Sequence, residues 1–365
     1  VGKPVQAGNK LGYSRMGYFE GIYKRLPVLL QHAMVSAYGL YWNRLRFGIG
    51  YRHYVNDYVN RERFSPEEWR DWQQEILKKV LAIAAEEVPF YRKTWSSLEK
   101  AEARAGNLNG LPLLDKESIR ESPKAFLRQD IKPWPRLVFH TSGSTGTPIE
   151  SIWTVQELRN SMALREVRSA RWASVSFNLP RATFSGRLVE PNPESTGPYY
   201  RFNLTERQVY LSAFHLTPQA APAYVEALRR HNVQWLTGYA VSFYLLARYI
   251  LELGLVVPPL RALVTTSEKV TKEMRDVMEQ AYGCRVFEEY STVENVMFAH
   301  ECDLGRLHVS PDAGIVEILG PDGNACEPGE PGEVVATGLI RSYQPFIRYR
   351  LGDIATWDEK PCSCG

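Results

Sequence analysis

An α/β fold with layered, largely parallel sheets, ending in a smaller β-rich part, is what this sequence predicts. Between about residues 209 and 289, apolar runs of five or six residues alternate with helical stretches of about a dozen. That is the pattern of strands joined by crossover helices. After about residue 300 the pattern becomes short strands separated by Pro/Gly turns, as in a β-rich subdomain. With 365 residues, the chain can bury a substantial core and form two or three domains. Composition divides it into an aromatic, basic N-terminal segment (1–60), an α/β core (61–300) and a β-rich subdomain (301–365).

The elements follow in order. Pro27 to Trp42 reads as a helix, amphipathic and partly basic, that packs an aromatic side on the body or lies on a membrane surface or a partner. Ser65-Pro66-Glu67-Glu68 is a helix start: a cap, Pro at the first position and acids in the first turn. This helix runs through Trp69, Trp72, Ile76, Val80, Leu81 and Ile83 and stops at Pro89. A Gly/Asn turn at 106–110 and a short polar helix near Lys116–Phe126 come next. A short strand through Leu137-Val138-Phe139 leads into a Gly/Ser/Thr loop, then a helix at roughly Thr154–Trp172. The Pro/Gly-rich stretch 178–205 holds short strands and loops. Strands are expected at Val209–Ala213, Val233–Thr237, Leu260–Thr265 and Arg285–Glu289. Helices are expected at Pro218–His231, Ala240–Leu253 and Thr271–Tyr282. The last strands are His308–Ser310, Gly314–Leu319, Gly332–Thr337 and Ile354–Trp357.

Composition excludes several classes. Lys and Arg total 44 against 41 Asp and Glu, a formal charge of +3, which is no argument for a nucleic-acid partner. Hydrophobic residues are 44% and aromatics 12%, which is globular rather than disordered or coiled-coil. No apolar run reaches the roughly 18 residues a bilayer span needs. Five cysteines make no disulfide scaffold, and the odd count fits a reducing compartment. A cytoplasmic location is the expectation. The start, Val1-Gly2-Lys3-Pro4, has no initiator Met and no apolar signal core, so the expected N-terminus is missing or processed.

The strongest local signal is Thr141-Ser142-Gly143-Ser144-Thr145-Gly146-Thr147-Pro148. Two glycines allow tight turns and close ligand approach, and hydroxyls with backbone amides can wrap a phosphate chain. It is neither a Walker A loop nor a dinucleotide fingerprint; an ordinary polar loop is the alternative. Downstream stand Tyr290-Ser291-Thr292-Val293-Glu294 and Tyr349-Arg350-Leu351-Gly352-Asp353. An Asp after Gly can accept hydrogen bonds from a ribose diol, and a Thr and a Glu in one loop can touch a phosphate and a magnesium ion. Each motif alone is weak, since a surface Asp or a capping Thr is commoner.

Taken together and in this order, the three stretches resemble the adenylate-forming superfamily. The closer likeness is to its phenylacetate–CoA ligase-like branch, with the capsular polysaccharide biosynthesis protein K group. Its further signs are Leu26-Pro27 with Gln31, Gln74, Val88-Pro89-Phe90-Tyr91-Arg92, Thr265-Thr266-Ser267-Glu268, Pro345 through Asp353 and the terminal Cys-Ser-Cys-Gly. The resemblance implies the fold of such an enzyme's N-terminal domain and the reaction of a carboxylate with ATP to give an acyl- or aryl-adenylate and pyrophosphate. Transfer to a thiol such as CoA follows; the alternatives are an amide or ester ligase without CoA and an inactive nucleotide-binding protein. Positioning and electrostatics dominate such chemistry.

By the same resemblance, Thr141, Ser142, Gly143, Ser144, Thr145 and Gly146 surround the ATP β- and γ-phosphates. Ser267 and Glu268 precede the adenine pocket. Glu288, Glu289 and Tyr290 line adenine, with Tyr290 stacked on the base. Thr292 touches the α-phosphate, Glu294 holds Mg²⁺ and Asp353 binds the ribose hydroxyls. Phe214, His215, Tyr239 and Ala240 fall where the family puts its carboxylate-binding wall. This chain departs from the family pattern at Ser291, where Gly is usual, at Val293, where Thr is usual, and at Thr147-Pro148, where many members carry Lys. Family members continue through a hinge into a C-terminal domain that supplies a bridging Lys. No residue here can be assigned to that role; truncation or disorder of that domain is the expectation, and a degenerate relative is the alternative.

Cys302 with His308, and Cys362 with Cys364, offer three thiolates and an imidazole, a closed tetrahedral set for structural zinc. Free thiols near a loose terminus are the alternative. Cys284 and Cys326 read as ordinary. His140 is expected to brace the phosphate loop; His215 packs, bonds backbone or meets substrate. Arg181 and Arg187 are surface arginines by default, or partners of an acidic group.

Overall fold

The computed structural model describes residues 23, 25–141 and 148–364. Packing divides the chain into two compact units. The first unit takes the stretch ending at Trp42, Phe177–Leu263 and Thr271–Arg285; the second takes Asn43–Ser176, Val264–Val270 and the stretch from Val286. Composition drew its boundaries near 60 and 300; packing joins segments far apart in sequence.

The first described helix, α1 (Val28–Phe47), follows Pro27 and runs across the division at Trp42. In the second unit come α2 (Tyr51–Arg61), α3 (Pro66–Glu87), α4 (Pro89–Thr94), α5 (Ser97–Ala105) and α6 (Lys116–Glu121). The α3 start is the capping box that the sequence predicts. Ser65 Oγ accepts from the Glu68 amide at 3.2 Å, and the Glu68 carboxylate accepts from the Ser65 amide at 2.7 Å. Leu77, Val80, Leu81, Ala84 and Ala85 are the buried stripe of α3, at the three-and-four spacing of one helix face. They join Val88, Tyr91, Phe126, Val296, Phe346 and Tyr349 in the main core of this unit.

Strands β1 (Leu137–His140) and β2 (Glu150–Trp153) form an antiparallel hairpin, with His140 opposite Glu150. β2 was not legible as a strand: four residues beside a polar loop carry no alternation to read. Thr141 closes the hairpin, its amide donating to Ile149 O at 3.2 Å and its Oγ1 accepting from the Ile149 amide at 3.0 Å. Ser142, Gly143, Ser144, Thr145 and Gly146 lie outside the described residues. Helix α7 (Val155–Arg165) follows a capping box at Thr154 and Glu157 and runs into a π-helical turn, Glu166–Ala170.

The first unit carries β3 (Arg181–Phe184), β4 (Tyr200–Asn203), β5 (Gln208–Leu211), α8 (Ala221–Arg230), β6 (Trp235–Tyr239) and α9 (Ala240–Glu252). β3 pairs in parallel with both β5 and β6, and β4 lies antiparallel on β5. Gly238 has φ +133°, and a Cβ there would stand 1.9 Å from Phe184 O. Only glycine lets β6 approach β3 so closely at its end. β7 (Ala262–Thr266) runs across the division, and α10 (Lys272–Tyr282) returns to the first unit, where Tyr282 Oη donates to Phe243 O at 2.8 Å.

The second unit resumes with β8 (Arg285–Ser291), β9 (Phe298–Glu301) and β10 (Leu307–Val309), paired antiparallel in that order. β9 escaped sequence reading because all four residues are buried, so polarity does not alternate. β11 (Gly314–Leu319), β12 (Pro331–Gly338) and β13 (Tyr349–Thr356) form a separate antiparallel sheet. β13 is longer than the expected Ile354–Trp357 and takes in the Gly-Asp motif. The fold is α/β, with parallel and antiparallel sheets.

Candidate functional site

A cavity of about 820 Å³ opens in the second unit. Thr141 reaches it from the hairpin, Ser267 and Glu268 from the loop after β7, and Glu288, Glu289 and Tyr290 from the end of β8. Thr292 and Glu294 come from the following turn, and Asp353 from β13. Nine residues singled out in the sequence for nucleotide or magnesium contact thus line one space.

The turn after β8 is tightly specified. The Asn295 amide donates to Thr292 O at 3.0 Å, and Asn295 takes φ +53°. Glu294 is buried, and Tyr349 Oη donates to its Oε1 at 2.9 Å. Burial first, then the charge of Glu294, holds the Tyr349 phenol well above its ordinary range, so it remains a donor. Arg341 is buried and fixes the same turn: its Nη1 donates to Glu294 O at 3.0 Å and to Ser151 Oγ at 2.6 Å. Burial lowers its guanidinium to about 10, still a cation at neutral pH. Thr292 Oγ1 is buried and, among the described residues, has no hydrogen-bond partner. A buried hydroxyl without a partner carries a desolvation penalty, and here it lines a cavity where a ligand oxygen can relieve it.

Tyr290 Oη donates to Asp353 Oδ2 at 2.7 Å. Burial, then this bond, raises the Tyr290 pKa, so the phenol donates and the carboxylate accepts. Glu288 and Glu289 line the cavity but are committed to protein partners. Glu288 accepts from the Val270 amide at 2.8 Å; Glu289 accepts from Arg165 at 2.7 Å and from Ser291 Oγ at 3.1 Å. These two frame the strand end. Ser267 sits at φ +72°, a left-handed conformation uncommon outside glycine.

Sequence reasoning missed Lys116, Arg120, Lys269, Glu301 and Tyr349, which also line the cavity. Lys116 and Arg120 arrive because Leu114 bridges in parallel to Tyr349, its amide donating to Arg348 O at 2.9 Å. No local pattern announces that pairing. Lys269 directly follows Ser267-Glu268, and its neighbourhood was the available signal.

The four expected acyl-wall residues belong to the first unit. Phe214 is exposed. His215 is buried between Ser212 Oγ (2.8 Å) and Asn192 O (2.9 Å), so both ring nitrogens are already engaged. Tyr239 brings its hydroxyl to Gly186, where a Cβ would lie 2.9 Å away, and Ala240 is fully buried. Arg181 is no surface arginine: it is buried and paired with Glu206 and Gln208. Arg187 lies over the Tyr210 ring.

The ligand atoms of Cys302, His308, Cys362 and Cys364 all lie within 4.8 Å of one another. Cys302 Sγ and Cys362 Sγ are 3.7 Å apart; Cys364 Sγ and His308 Nε2 are 3.4 Å apart. Zn–S and Zn–N bonds of about 2.3 and 2.0 Å in a tetrahedron give edges of about 3.8 and 3.5 Å. Burial, then the charge of Arg306, lowers the His308 pKa, favouring the neutral imidazole that a metal needs. The Leu304 amide points at Cys302 Sγ at 3.4 Å, and Arg306 holds the tail through Asp358 and Pro361 O, both at 2.9 Å.

No family model matches the chain. It is 24% identical to Protein CapK of Staphylococcus aureus over 336 residues, which is 91% of this chain and 72% of that protein. It is 25% identical to the phenylacetate–coenzyme A ligase of Thermus thermophilus over 332 residues, 83% of this chain and 69% of that one. Among solved structures, an open conformation of 2-hydroxyisobutyryl-CoA ligase, in complex with its adenylate and CoA, is similar in fold. The TM-score is 0.60 at 18% identity, over 82% of this chain and 73% of that one. With sequence relatives over most of its length and this fold, the chain is similar to the adenylate-forming enzymes and to their phenylacetate–coenzyme A ligase-like branch.

Proposed function

We propose that this protein activates a carboxylic acid with ATP, R–COO⁻ + ATP → R–CO–AMP + pyrophosphate, and then passes the acyl group to a thiol. In the second step the thiol sulfur bonds the acyl carbon, AMP leaves and the thiol proton is released. The observation that carries the reading is the buried Thr292 Oγ1, unpartnered among the described residues, beside Glu294 in a cavity that also takes in Thr141 and Asp353. An oxygen-rich ligand with a diol, the shape of a nucleotide, uses all four groups.

In this reading Asp353 accepts from the ribose hydroxyls through Oδ1, because Tyr290 already occupies Oδ2. Thr292 donates to the α-phosphate. Tyr349 engages one oxygen of Glu294 and leaves the other for Mg²⁺, which when bound would neutralise phosphate charge. Lys116, Arg120 and Lys269 line the same cavity and add positive potential around the phosphates. Phe214, His215, Tyr239 and Ala240 stand as the proposed acyl wall, on the family resemblance alone. The cysteine–histidine set is proposed to hold one structural zinc ion, its edges of 3.7 and 3.4 Å supporting that fit.

The experiment is ATP–pyrophosphate exchange by the complete gene product over a library of carboxylic acids. Exchange that requires both magnesium and one class of acid is expected. CoA and amine acceptors added in separate arms then identify the second half-reaction; turnover with an amine and not with a thiol replaces thiol transfer with amide formation.

A further inference from the structure

The two faces of α1 are inverted relative to an ordinary surface helix. Its protein-facing side is polar and small. Gln31 is buried, its Nε2 donating to Leu26 O at 2.9 Å and its Oε1 accepting from Arg201. His32 Nδ1 accepts from the Phe202 amide at 2.9 Å, and Ser36 Oγ accepts from the Leu204 amide at 3.0 Å. Gly39 lies against Asn203, where a Cβ would be 2.3 Å from the amide oxygen. These bonds fix the rotation of the helix on β4 and leave no freedom to turn its apolar residues inward.

The solvent side is apolar instead. Leu29 is 80% exposed, Leu30 51% and Tyr38 58%, with Met34, Leu40 and Tyr41 also exposed. Leu30, Met34, Tyr38 and Tyr41 follow one another at the four-four-three spacing of a single helix face. A surface helix normally turns its polar residues to water, and a contiguous exposed apolar stripe marks an interaction surface. Charge selects the partner. Between Glu20 and Asp57 the sequence holds Lys24, Arg25, Arg44, Arg46 and Arg52 and no acidic residue, although acids and bases nearly balance over the whole chain. Arg25 and Arg44, at the two ends of the stripe, are exposed. Tyr38, Tyr41 and Trp42 form a ring cluster with centroids 6.0–6.4 Å apart, the amphipathic aromatics suited to a headgroup layer. Among the described residues no helix is long and apolar enough to cross a membrane.

We propose that α1 docks this protein on an anionic lipid bilayer, lying in the plane of the surface with Leu30, Met34, Tyr38 and Tyr41 among the upper acyl chains and the flanking arginines on lipid phosphates. The test is flotation of the full chain with vesicles of phosphatidylcholine alone and of phosphatidylcholine mixed with phosphatidylglycerol in equal parts. Wild type is expected to float with the anionic vesicles, to stay behind with the neutral ones, and to be released by high salt. The double variant Met34→Glu, Tyr41→Glu, which changes exposed positions only, is expected to bind at least roughly tenfold more weakly. Failure of wild type to float with anionic vesicles, or equal binding by the variant, overturns the proposal. Self-association that the variant abolishes, without vesicle binding by wild type, makes the face a protein interface and overturns it too. If the variant does not fold, quenching of wild-type tryptophan fluorescence by brominated lipid decides: quenching in anionic vesicles supports the proposal, and none contradicts it.

Discussion

Asp353 has two carboxylate oxygens and one of them is taken. Tyr290 donates to Oδ2, which in the proposed reading leaves Oδ1 for the ribose diol. A charged hydrogen bond of this kind contributes about 1.5–3 kcal/mol. Asp353→Ala should therefore weaken MgATP binding by roughly ten- to a hundredfold in calorimetric titration. Tyr290→Phe keeps the carboxylate and should cost less. Unchanged affinity in the Asp353 variant removes the ribose assignment. At this scale the short motifs singled out Thr292, Glu294 and Asp353, and the fold brings all three to one cavity. Tyr349 and Arg341 were not legible. Tyr349 stood in the Tyr349–Asp353 stretch without a role of its own, and only the fold brings its hydroxyl to Glu294, 55 residues away in the chain. Arg341 lies in none of the motifs the sequence offers, yet it is buried among carbonyl and hydroxyl oxygens.

Among the elements, α1 gives the clearest physical test. Burial first, then the charges of Arg201 and His231, lowers His32 to about 4. It is neutral in the folded state and accepts from the Phe202 amide. The unfolded chain takes up a proton near pH 6.5 and the folded one resists until about 4. Stability is thus present above pH 6.5 and is lost as the pH falls towards 4. Because the ring is only half shielded, the loss is about 1–2 kcal/mol. Thermal melts between pH 7 and 4 should show it, and His32→Asn should flatten that part of the profile; an unchanged profile in the variant dissociates His32 from the effect. His231 also has a lowered pKa through burial, so some slope remains in the variant. Elements with terminal chemistry were the most legible. Ser65-Pro66 and Thr154 each start a helix where a cap and an acid three residues on predict one. β2 and β9 were not, because their residues respond to tertiary pairing and not to alternation.

On the scale of the whole molecule, the zinc proposal joins the tail to the body of the second unit. Cys362 and Cys364 meet Cys302 and His308 across some sixty residues, and Arg306 already reaches the same tail. Freshly purified protein should contain about one zinc per chain. Chelation should release it, expose three further thiols to titration and lower the melting temperature by roughly 2–4 °C for each kcal/mol lost. Zinc content far below that ratio in protein never exposed to chelator sinks the site. The cluster was legible from residue chemistry alone, since few patterns other than a metal site gather three Cys and a His. The division into units was not, because composition changes along the chain while packing joins segments that composition keeps apart.

In the proposed reaction one cavity binds ATP and uses it to activate a carboxylate. The most direct measurement is magnesium-dependent ATP–pyrophosphate exchange by wild type and by Glu294→Gln, with a panel of carboxylic acids. Exchange with at least one acid class is expected in wild type, with a loss of at least roughly a hundredfold in the variant. Binding of ATP without exchange for any acid, or exchange that survives in the variant undiminished, would contradict the proposed reaction.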